Sequence, residues 1–266
     1  MHKAAILAVT LAIAASAAAQ NEERDLCADR PGLGTPACTL EQGRAAIELG
    51  IGDWTRDQEG PVRSDTLQFG TMLLRVGLSH STEAQFGWVA FGHVREREST
   101  TRSVSTQSSV GDITLALRHN LRNPDGSDLS LALMPYLTLP TGGGAIGAGD
   151  WGMGLIVPVT IETGGAASFA LTARIDAVPD SDRAGRHLGY GAVAGLGLHL
   201  SDALSTNAEL SLYRDRDPTG HATRGVGGIS FAWQDSSDSQ WDIGANIGLN
   251  RETPDIQCSI GYMHRF

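Results

Sequence analysis

The chain has 266 residues, a formal net charge of -10, 33 glycines and 41% hydrophobic residues. This composition excludes a coiled coil, a collagen-like chain and a basic nucleic-acid binder. The length admits one large all-β domain or two smaller ones, so the order of the predicted elements has to decide.

The N-terminus has the features of a secretory signal. His2 and Lys3 precede an apolar run over residues 4–15, and small residues follow up to Ala19. We predict cleavage after Ala19, so residues 1–19 are the signal peptide and residues 20–43 a periplasmic N-terminal segment. The apolar run is too short to span a bilayer as a helix, and no later window is long enough and free of charge.

Two of the three cysteines lie close together after this signal. Cys27 and Cys38 flank a stretch rich in proline and glycine in a chain bound for an oxidising compartment, which predicts a local disulfide. Cys258 is then left unpaired. A metal-binding cysteine pair is the alternative, but neither a nearby histidine nor a second cysteine pair supports it.

From residue 44 onward, apolar residues recur at every second position, which is the period of β-strands. Twelve such segments follow one another to the C-terminus, so we predict a domain over residues 44–266 that is an up-and-down antiparallel β-barrel of twelve strands. Their apolar rows lie within residues 45–51, 72–78, 84–90, 113–117, 131–139, 153–161, 169–175, 190–200, 204–212, 229–233, 241–249 and 256–266.

The lengths of the connections distinguish a membrane barrel from a soluble sandwich. The links after even-numbered strands are short turns, at residues 79–82, 123–127, 163–165, 201–202 and 235–238. Those after odd-numbered strands are mostly long, at residues 55–64, 95–110, 141–150, 179–186 and 214–223. Short periplasmic turns and long extracellular loops are typical of outer-membrane barrels, whereas a Greek-key sandwich has no reason to alternate in this way.

The last strand carries the expected assembly signal of such a barrel. Tyr262 and the terminal Phe266 belong to its lipid-facing row, and His264 interrupts that row. The predicted location is the bacterial outer membrane, and the expected partners are its lipid and lipopolysaccharide, the barrel-assembly machinery and an unidentified small molecule.

Charged and amide side chains occupy the faces opposite the apolar rows, so they are the candidate lumen lining. We expect Arg75 and Arg118 to point inward and to lie near Glu48, Glu83 and Asp112. Acids outnumber arginines, so an open pathway should not favour anions. The candidate lumen-lining residues are Glu48, Arg75, Glu83, Gln85, Asp112, Arg118, Glu162, Arg174, Asp176, Glu209, Asp242, Asn246 and Arg265.

Motifs for catalysis or cofactor binding are weak. Residues 147–152 fit G-x-G-x-x-G, but they open a strand rather than a helix, which favours a glycine-rich extracellular loop. The histidines lack metal-ligand spacing, and no nucleophile elbow is present. We therefore expect no enzyme, cofactor, metal site or nucleic-acid partner.

Several short motifs resemble one family of outer-membrane proteins. They are the Cys27 to Cys38 segment around Pro-Gly-Leu-Gly-Thr-Pro, Leu74-Arg75-Val76-Gly77-Leu78 followed by Glu83, Gly111-Asp112 with Arg118, and Leu139-Pro140-Thr141-Gly142. Together they are similar to the meta-pathway phenol-degradation family of outer-membrane transporters. The resemblance implies a barrel for uptake of small, often aromatic or hydrophobic compounds, and it carries over no substrate residues.

Two functions remain open at this point. A transporter or channel requires space in the lumen, whereas a structural or adhesion barrel would have a packed lumen and functional extracellular loops. Arg–acid pairs filling the lumen would favour the second. The sequence does not decide whether residues 20–43 plug the barrel.

Overall fold

A computed structural model describes residues 24–182 and 185–266 as an all-β protein. The predicted signal peptide, residues 1–19, lies outside the described residues. Within the described residues there is no helix long and apolar enough to cross a membrane.

Thirteen antiparallel strands form one sheet. They are β1 (Ala45–Glu59), β2 (Val62–Ser79), β3 (Thr82–Glu98), β4 (Val104–Ser109), β5 (Ile113–Arg122), β6 (Leu129–Leu139), β7 (Gly152–Glu162), β8 (Ala167–Pro179), β9 (Arg186–His199), β10 (Leu204–Asp217), β11 (Gly220–Ser236), β12 (Ser239–Gly248) and β13 (Ile256–Arg265).

Twelve of these strands close into a barrel, which confirms the predicted fold. Neighbours along the chain pair with each other, β3 pairs with β5 beyond the short β4, and the last strand pairs with the first from Ala46↔Arg265 to Arg56↔Ile256. The backbone amide of Phe266 also donates to the carbonyl of Ala45 at 2.7 Å. The chain therefore begins and ends its barrel at the end that carries the short turns.

The two faces of the wall follow the period of two. On β2, the side chains of Leu74, Val76 and Leu78 lie on the outer surface, whereas Arg75 between them is buried inside. An apolar outer row suits contact with lipid, and an inward arginine avoids a cost of about 2–4 kcal/mol at the bilayer midplane.

Three segments predicted as long loops belong largely to strands, so these predictions are wrong. Residues 55–64 and 214–223 form hairpins that leave only two-residue turns, and residues 95–110 contain the end of β3 and all of β4. These segments are mostly polar, so no alternation of apolar residues indicates a strand there. Outside the membrane, a pair of strands does not need an apolar face, and these hairpins extend the wall of the barrel outward.

Candidate functional site: the barrel lumen

The barrel lumen contains residues 24–43, which we call the luminal strap. The sequence predicts a separate segment on the periplasmic side. The strap instead enters the barrel: it begins and ends beside the short turns and crosses the lumen to the wall at β8 and β10. Because it has no strand or helix of its own, its backbone polar groups need partners from the wall.

Wall carboxylates accept the strap's backbone amides. Glu48 accepts from the amides of Asp29 and Arg30 at 3.0 and 2.9 Å. Glu209, on β10, accepts from Leu33 and Gly34 at 2.6 and 3.0 Å. These two acids therefore fix the strap on two sides of the lumen.

Two further wall side chains complete the amide contacts. Glu83 accepts from the amide of Leu40 at 2.8 Å. The hydroxyl of Thr172 accepts from the amide of Thr35 at 2.9 Å and donates to the Thr35 carbonyl at 3.0 Å. The tip of the strap, residues 33–35, is thus tied to β8 and β10 by hydrogen bonds to its backbone.

Wall cations and amides donate to the strap's carbonyls. Arg75 donates to the carbonyl of Cys27, Arg118 to that of Cys38 at 3.1 Å, and Asn120 to that of Ala37 at 2.8 Å. The inward charges of both signs therefore act as receptors for one peptide backbone.

The same charges form a buried network among themselves. Arg75 lies 2.9 Å from carboxylate oxygens of both Glu48 and Glu83, and all three side chains are fully buried. Arg118 pairs with Asp29 of the strap at 2.6 Å and with Glu83 at 3.4 Å. The network packs one sector of the lumen.

Gln85 joins this network by donating to Glu83 at 2.6 Å. Asp112, expected in the same group, instead accepts from the amides of Gly142 and Ala148 at 2.7 and 2.6 Å, so it holds the connection between β6 and β7.

The predicted disulfide between Cys27 and Cys38 is confirmed, with Cα atoms 6.2 Å apart. It joins two positions of the strap whose carbonyls receive the two buried arginines, so the intervening loop is closed at a fixed place on the wall. Cys258 is free and half-buried.

Further strap contacts lie on β12, β13 and nearby turns. Arg30 pairs with Asp242 at 3.2 Å. Arg265 donates to the carbonyl of Arg24 at 2.7 Å and pairs with Asp238 at 2.8 Å. Asp238 lies in the turn after β11. The hydrogen bond from Arg265 is the main reason that the pKa of Asp238 is below its usual range.

Two wall positions lack side chains where the strap approaches closely. A Cβ at Gly77 would collide with the carbonyl of Glu41, and a Cβ at Gly261 with the guanidinium of Arg30. Glycine at these two positions lets the strap lie against the inner wall.

On the extracellular side of the strap there is a cavity of about 540 Å³, which we call the outer cavity. Its wall includes Arg174, whose Nε lies 2.8 Å from a carboxylate oxygen of Asp176. The guanidinium carbon lies 5.9 and 5.4 Å from the ring centres of Tyr136 and Tyr213, and both phenols donate to Asp176 at 2.6 and 2.9 Å.

Leu33 and Thr35 of the strap and Val193 of β9 also line the outer cavity. It therefore combines tyrosine rings, aliphatic carbons and charged side chains, among them Arg224 and Arg174, whose side chain is 40% exposed.

On the other side of the strap is a cavity of about 1150 Å³, which we call the inner vestibule. Strap residues such as Pro31 and Pro36 line it together with the short turns, and Glu162 and Asn207 lie on its wall. The strap thus separates the two cavities.

The other predicted residues lie outside these contacts with the strap. Asn246 donates to Gln257 on the neighbouring strand at 3.4 Å. The rings of Tyr262 and Trp241 lie 4.8 Å apart between centres, with their planes tilted by 49°, and His264 meets Phe266 edge to face at 4.6 Å. These rings form an aromatic group on the outer surface at the end where the barrel closes.

Sequence reasoning missed the strap's own part in the lumen, namely Asp29, Arg30 and the backbone of residues 33–40. It also missed Tyr136 and Tyr213. Tyr136 follows an outward proline on β6, so its inward register was available as a signal.

Comparisons with known proteins support both the fold and the sequence resemblance. A family model described as "Putative MetA-pathway of phenol degradation" matches residues 28–266. A comparison with curated proteins found no matching sequence.

Among solved structures, an outer-membrane channel from Pseudomonas putida F1 is 16% identical, with 89% of this chain and 99% of that chain covered and a TM-score of 0.67. The NanC porin is 9% identical over 83% and 98%, with a TM-score of 0.52. The translocator domain of the autotransporter NalP from Neisseria meningitidis is 16% identical over 85% and 90%, with a TM-score of 0.50. The chain thus has the fold of an outer-membrane β-barrel.

Proposed function

The chain belongs to the family described as putative MetA-pathway of phenol degradation, and from this premise we propose that it is an outer-membrane channel for small aromatic or hydrophobic compounds. The observation that carries the proposal is the pair of cavities that reach the luminal strap from opposite ends of the barrel. A permeant would bind first in the outer cavity and then pass the strap into the inner vestibule.

The size and chemistry of the outer cavity support this class of permeant. Its volume of about 540 Å³ lies within the range of about 300–1,000 Å³ that is typical of small-molecule sites. The rings of Tyr136 and Tyr213 and the side chains of Leu33 and Val193 offer apolar surface to an aromatic ring. Arg174 and Asp176 offer a donor and an acceptor to a hydroxyl group on that ring.

The strap is the restriction on this route. Its tip is held on the far wall by Glu209 and Thr172, through four hydrogen bonds to the backbone of residues 33–35. These bonds are exchangeable for water, so the tip can leave the wall more easily than the network around Arg75. We propose that movement of the tip opens the passage.

A closed, structural barrel is the second candidate, and the buried network of Arg75, Arg118, Glu48 and Glu83 favours it. The two candidates differ in whether releasing the strap's tip increases permeation. A closed barrel would keep its lumen blocked by the network alone.

Uptake by porin-depleted cells tests the proposal. Cells that express the chain are given radiolabelled phenol, or radiolabelled glycerol as a polar comparison, and initial rates are compared with cells carrying an empty vector. We expect faster phenol uptake with the wild-type chain and a further several-fold rise with Glu209→Ala. Glu59→Ala, at the exposed tip of the β1–β2 hairpin, is the matched control and should equal wild type.

Arg174→Ala should lower phenol uptake more than glycerol uptake, because it removes a donor that lies beside two tyrosine rings, where a hydroxylated aromatic ring would contact both the donor and the rings. If wild type and Glu209→Ala both match the empty vector while the barrels are present in the outer membrane, the channel is refuted and the closed barrel is supported.

A further inference from the structure

A group of histidine and aspartate side chains lies at the extracellular rim of the barrel, outside the lumen contacts described above. Asp180 follows β8, His187 is the second residue of β9, and Asp215 and Asp217 end β10. The His187 side chain is only 5% exposed. These residues lack metal-ligand spacing along the chain, because three separate elements bring them together.

The atoms facing Nδ1 of His187 are spaced like the ligands of one metal ion. Nδ1 lies 2.9 Å from an Asp180 oxygen and 3.6 Å from an Asp217 oxygen. One ligand atom from each of these three residues falls within 4.8 Å of the others. Metal bonds of about 2.0–2.1 Å would place two ligands of a tetrahedral Zn²⁺ about 3.3–3.4 Å apart, between the two measured distances.

The other ring nitrogen of His187 faces a carboxylate. Nε2 lies 2.5 Å from Oδ1 of Asp215. A histidine that binds a metal through one nitrogen commonly donates from the other to a carboxylate, which fixes the ring. With a metal at Nδ1, the proton of the neutral imidazole would lie on Nε2, from which it can be donated to Asp215.

The charges also favour a cation. Three carboxylates surround the imidazole. Among the residues that the structure describes, Arg224 is the only arginine that pairs with one of these aspartates, at 3.2 Å from Asp215. With a neutral imidazole the group carries excess negative charge in a partly buried place. A divalent ion would neutralise it.

We propose that Asp180, His187 and Asp217 bind a divalent transition metal of the Zn²⁺ type, with Asp215 as the positioning residue behind the histidine. One nitrogen and two carboxylate oxygens suit such an ion better than Ca²⁺, which takes oxygen ligands in larger number. The ion would tie the β8–β9 connection to the end of β10. Val178, Pro179 and Arg224 line the outer cavity, so the metal would brace one side of its mouth.

Zn²⁺ binding to the folded, full-length mature chain tests this site. The purified barrel in detergent is titrated with Zn²⁺ against a chromogenic chelator, and heat-modifiable migration on a gel verifies folding of each variant. We expect one equivalent of Zn²⁺ in the wild type and loss of that equivalent in His187→Gln. The matched control is His221→Gln on the neighbouring β11, an exposed histidine at the same end of the barrel, which should bind as wild type does.

Asp215→Asn separates a positioning role from direct ligation. It should weaken Zn²⁺ by about 10- to 100-fold without changing the stoichiometry, as loss of an outer-shell carboxylate does elsewhere. Asp180→Asn and Asp217→Asn should weaken binding at least as much. The proposal is overturned if folded wild type binds no Zn²⁺, if His187→Gln keeps the full equivalent, or if His221→Gln loses it equally.

Discussion

Replacing Arg75 by methionine should destabilise the barrel by about 3 kcal/mol, at the low end of the range of about 3–5 kcal/mol for breaking a buried ion pair. The arginine makes contacts of 2.9 and 3.0 Å to the carboxylates of Glu48 and Glu83, and all three side chains are fully buried. Methionine fills much of the same volume but leaves both acids without this cation.

The low end applies because neither acid is left without partners. Glu48 keeps the amides of Asp29 and Arg30. Glu83 keeps the amide of Leu40, Gln85 at 2.6 Å and Arg118 at 3.4 Å. The remaining penalty is therefore that of Glu48 without its counter-charge and of the Cys27 carbonyl without its donor, rather than of carboxylates without any donor.

The assay is urea unfolding of the barrel in lipid vesicles, followed by tryptophan fluorescence. Arg63→Met on the same strand is the matched control, because its pair with Asp65 at 2.9 Å is partly exposed and its loss should cost about 1 kcal/mol or less. If Arg75→Met lies within about 1 kcal/mol of wild type, or if Arg63→Met destabilises the barrel equally, the buried network does not stabilise the lumen.

Three further predictions concern the strap and the ends of the barrel. The double variant Cys27→Ser, Cys38→Ser should raise single-channel conductance in planar bilayers. Without the disulfide, the strap regains about 3 kcal/mol of chain entropy and is restrained less tightly. Unchanged conductance would contradict a strap that restricts the passage. Asp238→Asn should lower the urea midpoint of unfolding at about pH 7 but not at about pH 2.5. The pKa of Asp238 is lowered in the folded barrel, so its carboxylate stabilises the fold above the ordinary carboxyl pKa and this stabilisation is lost as the pH falls. An equal difference between variant and wild type at both pH values would count against the hydrogen bond from Arg265 as the cause. Deleting Phe266 should reduce the amount of chain in the outer-membrane fraction, because it removes the terminal aromatic and the bond from its amide to Ala45, and normal recovery would speak against an assembly role.

The wall of the barrel could be predicted from sequence because the period of two assigns every strand residue to one face. Arg75 between Leu74 and Val76 has a single sensible orientation in lipid, and its neighbours on β1 and β3 follow from up-and-down order. The aromatic end at Tyr262 and Phe266 was readable for the same reason.

The contents of the lumen could not be predicted in this way. Arg30 meets Asp242 across 212 positions of sequence, and the strap is bound mainly through peptide groups that leave no residue-specific signal. The group of His187 and aspartates at the extracellular rim could not be predicted either, because only strand pairing brings residues 187 and 215 together. Polar hairpins such as residues 55–64 escaped because a ladder in water needs no apolar row.

Recognition through peptide groups has a consequence for how sequence change is tolerated. An amide or carbonyl is the same chemical group at nearly every residue, so the strap from residue 29 to 40 can exchange many side chains and still be held. Glu48, Glu83, Glu209 and Arg118 have no such freedom, because each supplies a unique acceptor or donor at a fixed point on the wall. Among related chains, the inner surface of the barrel should therefore vary less than the strap, which keeps its length, its cysteines, its path and the charged residues Asp29 and Arg30 that pair with the wall.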